Sequence, residues 1–257
     1  MAKKTKITLD AYFEDILSER WPRLKEALLA PNQHMTLGAD LGYTKDYFLD
    51  PASVYSASLL PIHDNDIVLD MCAAPGGKSL VLAKALKGTG TLICNERSSN
   101  RRARLHRVIM DCLPENWRQN VKITAHDATR WGVYEKEVYD KILLDAPCSS
   151  ERHVMVSPEH LADWSPSKTK RMAQQQHAML CGALDALKVG GQILYSTCSI
   201  SSIENSDCIA YFLKKRPSQV KVVELVLDKG EKCEYGHQFW PDVSGEGPIY
   251  CCLLEKI

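Results

Sequence analysis

From Asp66 onward the chain alternates short apolar runs with amphipathic stretches, and this alternation constrains its fold more than any other feature. Near-continuous apolar strands joined by helices read as a parallel sheet covered on both faces. Strands are predicted at 67–70, 91–95, 121–125, 141–144 and 192–196, with two more near 220–226 and 249–254. One helix is predicted from Gly77 to Leu86, stopping at Gly88, and a second begins at a cap on Ser98 or Ser99. In the second, Leu105, Val108, Ile109 and Cys112 share one stripe. A long helix follows from about Ser167 to Leu187, broken by Gly190 and Gly191, and another from about Ile203 to Lys214. The expected fold is α/β, a doubly wound, seven-stranded, mostly parallel sheet.

Ahead of this region, Phe13, Ile16, Leu17, Trp21, Leu24 and Leu28 recur at helical spacing, and Pro22 is suited to restart a helix. The expected organisation is a small helical appendage over 1–50 and a main domain over 51–257. No Pro/Gly/Ser-rich linker divides the 257 residues, so one core is expected. No apolar run approaches the roughly 20 residues of a membrane helix, and MAKKTKITLD lacks the apolar stretch of a signal peptide. No membrane association is expected, and a cytoplasmic or organelle-matrix setting is.

Ten cysteines are scattered without a CxxC pair, so no metal is expected and most should be reduced, packed thiols. Lys plus Arg and Asp plus Glu number 32 each, which excludes a dedicated polyanion binder by net charge. Basic residues nevertheless cluster at Arg101, Arg102, Arg104, His106 and Arg107, at Lys168, Lys170 and Arg171, and at Lys214 to Arg216. A solvated helix face accounts for each cluster taken alone.

Ligands of doubly wound sheets bind beyond the carboxyl ends of the strands. The small residues of Asp70-Met-Cys72-Ala73-Ala74-Pro75-Gly76-Gly77-Lys78 follow the first strand and suit close backbone approach to a ligand, whose carboxylate would meet the next helix's N-terminus. A phosphate-binding P-loop would need glycine where Cys72 stands, and no GxGxxG is present. Glu96, 96 minus 70 or 26 positions after Asp70, ends the second strand where a carboxylate accepts from ribose hydroxyls, and Asp127 after the third is placed for an adenine amine. Asp145-Ala-Pro-Cys148 follows the fourth strand and Ser196-Thr-Cys198 the fifth. If those strands are neighbours, both thiols converge on one crevice.

CAAPGGK at 72–78, DAPCSS at 145–150 and YSTCS at 195–199 together resemble the Sun (Fmu-type) family of RNA cytosine-5 methyltransferases, over about Trp21 to Tyr250. The resemblance implies a Rossmann-like class I methyltransferase fold and S-adenosylmethionine as cofactor. It assigns Cys198 as nucleophile and Cys148 to product release, with Glu96, Asp127 and Asp145 lining the cofactor site. RWPRLKEALL at 20–29, YFLDPAS at 47–53, SERHV at 150–154 and GPIY at 247–250 are similar to the short, mitochondrial-type branch acting on rRNA or tRNA. Ser150 departs from the family, which often has glycine there.

The chemistry gives the thiols a purpose. Carbon 5 of cytosine is too weak a nucleophile to attack a methyl donor, and thiolate addition at carbon 6 makes it an enamine that can. A carboxyl such as Asp145 can stabilise the ring at N3. A base worked on at carbon 5 must leave its stack, so a loop or opened helix of RNA is the expected substrate. Arg101, Arg102 and Arg104 are the first candidates to track its phosphates, Lys168 to Arg171 the next, and Tyr43, Tyr47 or Phe48 are candidates to stack or to pack. The balanced charge leaves room for a protein partner that supplies specificity. A small-molecule methyltransferase needs no paired thiols, a DNA cytosine methyltransferase usually presents one at the fourth strand, and a non-catalytic RNA-assembly factor needs none of Cys148, Cys198, Asp145 and Lys78.

Overall fold

The computed structural model describes residues 7–257, so the first six residues of the expected appendage lie outside the described residues. The chain runs through α1 (Leu9–Leu17), α2 (Arg20–Leu29), β1 (Met35–Leu37), β2 (Tyr47–Leu49), α3 (Pro51–Ser58), β3 (Ile67–Asp70), α4 (Gly77–Leu86), β4 (Thr91–Asn95), α5 (Ser99–Cys112), α6 (Glu115–Arg118), β5 (Val121–Thr124) and α7 (Trp131–Tyr134). It continues through β6 (Tyr139–Asp145), α8 (Glu151–Val156), α9 (Pro158–Asp163), α10 (Pro166–Ala186), β7 (Leu187–Thr197), α11 (Ser206–Lys215), β8 (Val220–Val223), β9 (Glu231–Lys232), β10 (His237–Phe239), α12 (Pro241–Ser244) and β11 (Ile249–Lys256).

The main sheet has the order β5-β4-β3-β6-β7-β11, its first five strands parallel and β11 antiparallel to β7. All seven expected strands are present, but the described sheet has nine. The outer edge of β11 is divided: Leu253–Lys256 pair with β8, while Ile249–Cys251 pair with β10, which carries β9 beyond it. Strands of two and three residues have too little length for an alternating pattern to show in the sequence. Gly190 and Gly191 do not end α10 as expected; the helix stops at Ala186, and both glycines fall inside β7 where its register with β6 shifts. Extra residues in one strand bend it without ending it.

The chain reverses direction along the sheet between β3 and β6, which is where such sheets bind ligands. In register, Asp70 lies beside Cys94 and Leu143, Asn95 beside Thr124, and Asp145 beside Ser196. The strand ends are further stitched by Asn95, which donates to the Met71 and His126 carbonyls at 3.0 and 3.1 Å and accepts from His126 N and Thr124 Oγ1. Apolar residues fill both faces, among them Leu80, Leu105 and Leu143 on one and Leu144, Leu180 and Ile193 on the other.

The N-terminal helices pack on the same end of the sheet. Leu9, Phe13, Trp21, Leu24 and Leu28 cluster with Trp164 and Ile200, with the Phe13 and Trp21 rings 5.2 Å apart. Arg20 lies over the Trp240 ring, pairs with Glu231 and shares Asp242 with Arg23. Arg152 of α8 donates to the Ala27 and Ala30 carbonyls at the end of α2, supplying partners that helix C-termini lack. The appendage thereby forms one wall above the fifth strand. No described helix is long and apolar enough to cross a membrane.

Candidate active site

The loop after β3 turns through Gly76, whose φ of +119° is a left-handed conformation that favours glycine. A side chain at Gly76 would also strike Val108 at 2.9 Å, and one at Gly77 would strike Leu49 and Tyr47 at 2.9 Å. Gly76 thus takes the unusual torsion that glycine permits in this loop, and both glycines also leave room for packing against α5 and β2. Ala73 and Ala74 are buried, and Ala73 N donates to the Asn95 carbonyl at 2.9 Å.

Cys72, Glu96 and Asp127 line one cleft of about 110 Å³ with Asn95, Arg97 and Arg101. Glu96 Oε1 accepts from Ser98 N at 2.7 Å, so Glu96 satisfies the start of α5 while the Ser98 side chain makes no capping bond. Asp127 caps the turn after β5 through Thr129, whose hydrogen bonds, followed by the Arg97 and Arg130 charges, hold its carboxyl below the usual range against burial. Arg101 pairs with Glu96 at 3.1 Å and donates to the Ala74 carbonyl at 2.7 Å. Arg102 donates to the Glu96 and Arg97 carbonyls. Two of the three arginines expected on RNA are thus tied to the cofactor side of the sheet, and only Arg104 is exposed without such a bond.

Asp70 lies beneath this loop, 1% exposed. Its Oδ2 accepts from Ser79 at 2.6 Å, but its Oδ1 has no partner. Burial pushes its carboxyl up to about 7, with Asp145 acting the same way against the Ser79 bond and the Lys78 charge. The free N-terminus of α4 and the acids of the cleft at the ends of β4 and β5 fit a zwitterionic nucleoside such as S-adenosylmethionine.

The two thiols converge as expected. Cys148 Sγ and Cys198 Sγ are 3.0 Å apart, and Cys198 Sγ lies 3.4 Å from Ser150 Oγ. The hydrogen bond from Cys148 holds the Cys198 thiol below its ordinary value, with Ser150 and the Lys78 charge helping against burial and Asp145. The same bond, with burial, pushes Cys148 well above its ordinary value. Cys198 is thus the more acidic thiol of the pair, the one that ionises first. Lys78 Nζ donates to Asp145 Oδ2 at 2.7 Å, and Ser196 Oγ to Asp145 Oδ1 at 2.8 Å. Burial works against the Lys78 charge, but Asp145, followed by Cys198, keeps the ammonium protonated. Sequence reasoning assigned Lys78 to the cofactor loop and missed this link to the thiols; its position one residue into α4 was the available signal.

Ser150 takes φ +51°, ψ +63°, the conformation in which glycine is easiest, which explains the family's glycine at this position. Holding a side chain there costs roughly 1 kcal/mol. Ser150→Gly is therefore expected to raise stability in chemical denaturation by about that much, and to shift the pH dependence of Cys198 alkylation upward because a donor to the thiolate is lost.

Cavities open on both thiols. One of about 490 Å³ reaches Cys198 and is walled by Asp50, Ser53, Asn32, Arg152 and Pro248. Another of about 400 Å³ reaches Cys148 and is walled by His153, Trp164, Lys168, Arg171 and Met172. Ser150 and His153 line both. The second basic cluster from the sequence, at Lys168 and Arg171, therefore borders the thiols. Tyr43 packs against Trp117 and donates to the Leu80 carbonyl, and Phe48 is 63% exposed.

A mostly parallel sheet with a cleft beyond its reversal point and a close thiol pair beside it defines the doubly wound α/β class of fold with a strand-end site. The chain belongs to the 16S rRNA methyltransferase RsmB/F family, whose model matches residues 57–255. It is 31% identical over 238 residues to the 5-cytosine rRNA methyltransferase NSUN4 of Mus musculus, covering 84% of this chain and 61% of that protein. It is 34% identical over 186 residues to a mitochondrial tRNA (cytosine(34)-C(5))-methyltransferase of Danio rerio, covering 72% of this chain and 50% of that protein. The chain thus spans one half to three fifths of these relatives. The crystal structure of NSun6 from Pyrococcus horikoshii with SFG is similar at 28% identity and a TM-score of 0.71, covering 83% of this chain and 53% of that one.

Proposed function

We propose that this chain transfers a methyl group from S-adenosylmethionine to carbon 5 of a cytosine in structured RNA, ribosomal RNA before transfer RNA, through a covalent bond to Cys198. The observation that carries the reading is the 3.0 Å separation of Cys148 and Cys198 beside the Lys78–Asp145 pair. The names of the NSUN4 and tRNA (cytosine(34)-C(5)) relatives support the reaction and the two substrate classes.

The extruded cytosine enters the cavity at Cys198. Asp145 accepts a hydrogen bond from the exocyclic amine, and the Cys198 thiolate adds to carbon 6, leaving carbon 5 electron-rich. When bound, S-adenosylmethionine supplies the electrophilic methyl group, held by Asp70, the 72–78 loop, Glu96 and Asp127. Once the Cys198 sulfur is bonded to carbon, it no longer accepts from Cys148 as an anion, and the largest cause of the high Cys148 value disappears. Cys148 can then give its proton to solvent through the cavity that opens on it and, as the thiolate, take the proton on carbon 5, whose bonding pair re-forms the double bond to carbon 6 and expels the Cys198 thiolate.

Lys168 and Arg171 at the mouth of the Cys148 cavity are better placed than Arg101 and Arg102 to meet RNA phosphates, with Arg104 a remoter contact. Site selection rests on folded RNA or on a protein partner, in keeping with the balanced charge. Residues 1–50 act as an appendage that walls the substrate cavity and 51–257 as the methyltransferase domain. Ten free thiols suit a reducing cytoplasm or organelle matrix.

The reading is tested by incubating the protein with labelled S-adenosylmethionine and ribosomal or transfer RNA transcripts, then digesting to nucleosides. Label in 5-methylcytidine is expected; label elsewhere or none contradicts it. Glu96→Ala should raise the cofactor Kd roughly 10- to 100-fold in titration calorimetry, the loss of charged hydrogen bonds to a ribose, while kcat at saturating cofactor falls far less.

A further inference from the structure

Two glutamates that the mechanism does not use lie under the thiols. Glu151 and Glu204 are both 0% exposed. Neither has an ion-pair partner among the described residues. Both touch the same two hydroxyls: Ser149 Oγ contacts Glu151 Oε1 and Glu204 Oε1, and Ser199 Oγ contacts the same two oxygens at 3.2 and 3.0 Å. The hydroxyls lie 3.1 Å from each other. Ser149 follows Cys148 and Ser199 follows Cys198 in the chain.

The hydrogens do not suffice for two carboxylates. Five oxygen–oxygen contacts join these four groups, while the serines bring one hydrogen each. With both acids ionised, the remaining contacts would set lone pair against lone pair, and two negative charges would be buried side by side. A single carboxyl proton supplies a third hydrogen and removes one charge. The surrounding donors say which acid keeps it. Glu204 Oε2 accepts from Ser149 N at 3.0 Å and from Gln176 Nε2 at 2.8 Å, whereas Glu151 Oε2 accepts only from Ile200 N at 3.0 Å. Glu151, with fewer donors, is the one that keeps the proton.

We propose that Glu151 and Glu204 hold one proton between them and act as positioning residues, clamping the Cys148 loop to the Cys198 loop through Ser149 and Ser199. Gln176, which also donates to the Pro147 carbonyl at 2.9 Å, anchors the clamp to α10. The titratable groups facing the pair are Cys148, Cys198, Tyr12 of α1, Tyr195 of β7, and Asp207 and Cys208 of α11, with no cation among them to replace the proton. Burial, with the Glu204 charge, pushes Glu151 up to about 7. The folded chain therefore keeps a proton that the unfolded chain releases, so the stability the clamp contributes falls as pH rises from the ordinary glutamate range through about 7. Loss of the proton makes the loops repel and separates the thiols.

The clamp itself stands on the hydrogen count; its effect on turnover rests on the proposed two-thiol reaction. Glu151→Gln carries the neutral form permanently, its amide donating to the serines while its carbonyl accepts from Ile200. Glu151→Ala removes both. Methyl transfer to RNA is measured against pH for wild type and both variants, together with thermal melting and infrared difference spectra of wild type against Glu151→Gln. Wild type should lose kcat on the alkaline side of about 7 while Glu151→Gln keeps most of it there, and Glu151→Ala should lose on the order of 10²-fold in kcat at every pH with KM values little changed. The difference spectrum should show a protonated-carboxyl carbonyl band at pH 6 that vanishes at pH 9, and Glu151→Gln should outmelt wild type at pH 8 but not at pH 5. A Glu151→Gln variant as slow as Glu151→Ala, an alkaline loss shared by wild type and Glu151→Gln, or absence of the band overturns the proposal. Should no form methylate RNA, the proposed function fails, and the band and the melting order still decide on the shared proton.

Discussion

Cys198→Ala is expected to lower RNA methylation by on the order of 10⁴-fold or more, because a nucleophile that opens the only low-energy route cannot be replaced by its neighbours. Cofactor affinity should stay within about twofold, since the acids and glycines of the cofactor cleft do not touch this side chain. Cys148 does not substitute for it. Its sulfur opens on the other cavity, beside His153, Trp164 and Met172, and not on the one that reaches Cys198. Single-turnover methyl transfer checks the first half of this expectation and titration calorimetry the second. A variant with full activity would mean that the sulfur 3.0 Å from Cys148 is not the attacking atom.

Cys148→Ala is expected to behave differently, with multiple-turnover rate falling on the order of 10²- to 10⁴-fold, the usual worth of a general base, while the first turnover still forms a covalent protein–RNA species. The base that clears carbon 5 is missing, so the adduct accumulates and appears on a denaturing gel as a slower band. The same substitution removes the donor that holds Cys198 below its ordinary value. The pH at which adduct formation begins should therefore move up, because a thiolate that loses its hydrogen bond is harder to form. An adduct that turns over as fast as in wild type would assign the proton to another base.

Much of this site is readable from residue order because a parallel sheet aligns the ends of its strands. Asp70, Glu96, Asp127, Asp145 and Cys198 each follow an apolar run, and alternation of strands and helices suffices to bring them to one edge. What alternation lacks is depth and contact. Gly76 and Gly77 read in sequence as residues free to take unusual torsions, and only the fold shows that Val108, Tyr47 and Leu49, which lie outside this loop in the chain, also require them to be small. Arg101 and Arg102 look like a basic face, and only the fold shows that their donors reach Ala74 and the backbone beside Glu96. Glu151 and Glu204 are acids at the starts of helices, a pattern that usually means solvent; their burial depends on Gln176, Ser149 and Ser199 arriving from three separate segments. Ser150 is the intermediate case. Its departure from glycine is visible in the sequence, and its cause, a left-handed backbone beside a thiolate, is not.

The central claim is that Cys198 bonds to the cytosine. An RNA transcript carrying 5-fluorocytidine tests it most directly, because fluorine at carbon 5 cannot leave as a proton and the adduct stalls after methyl transfer. The adduct is digested with nuclease and protease and the modified peptide sequenced by mass spectrometry. A methylated fluorocytidine on the peptide containing Cys198, absent when S-adenosylmethionine or the thiol is removed, is the predicted result. The same nucleotide on Cys148, or methylated RNA with no adduct on either thiol, would contradict it.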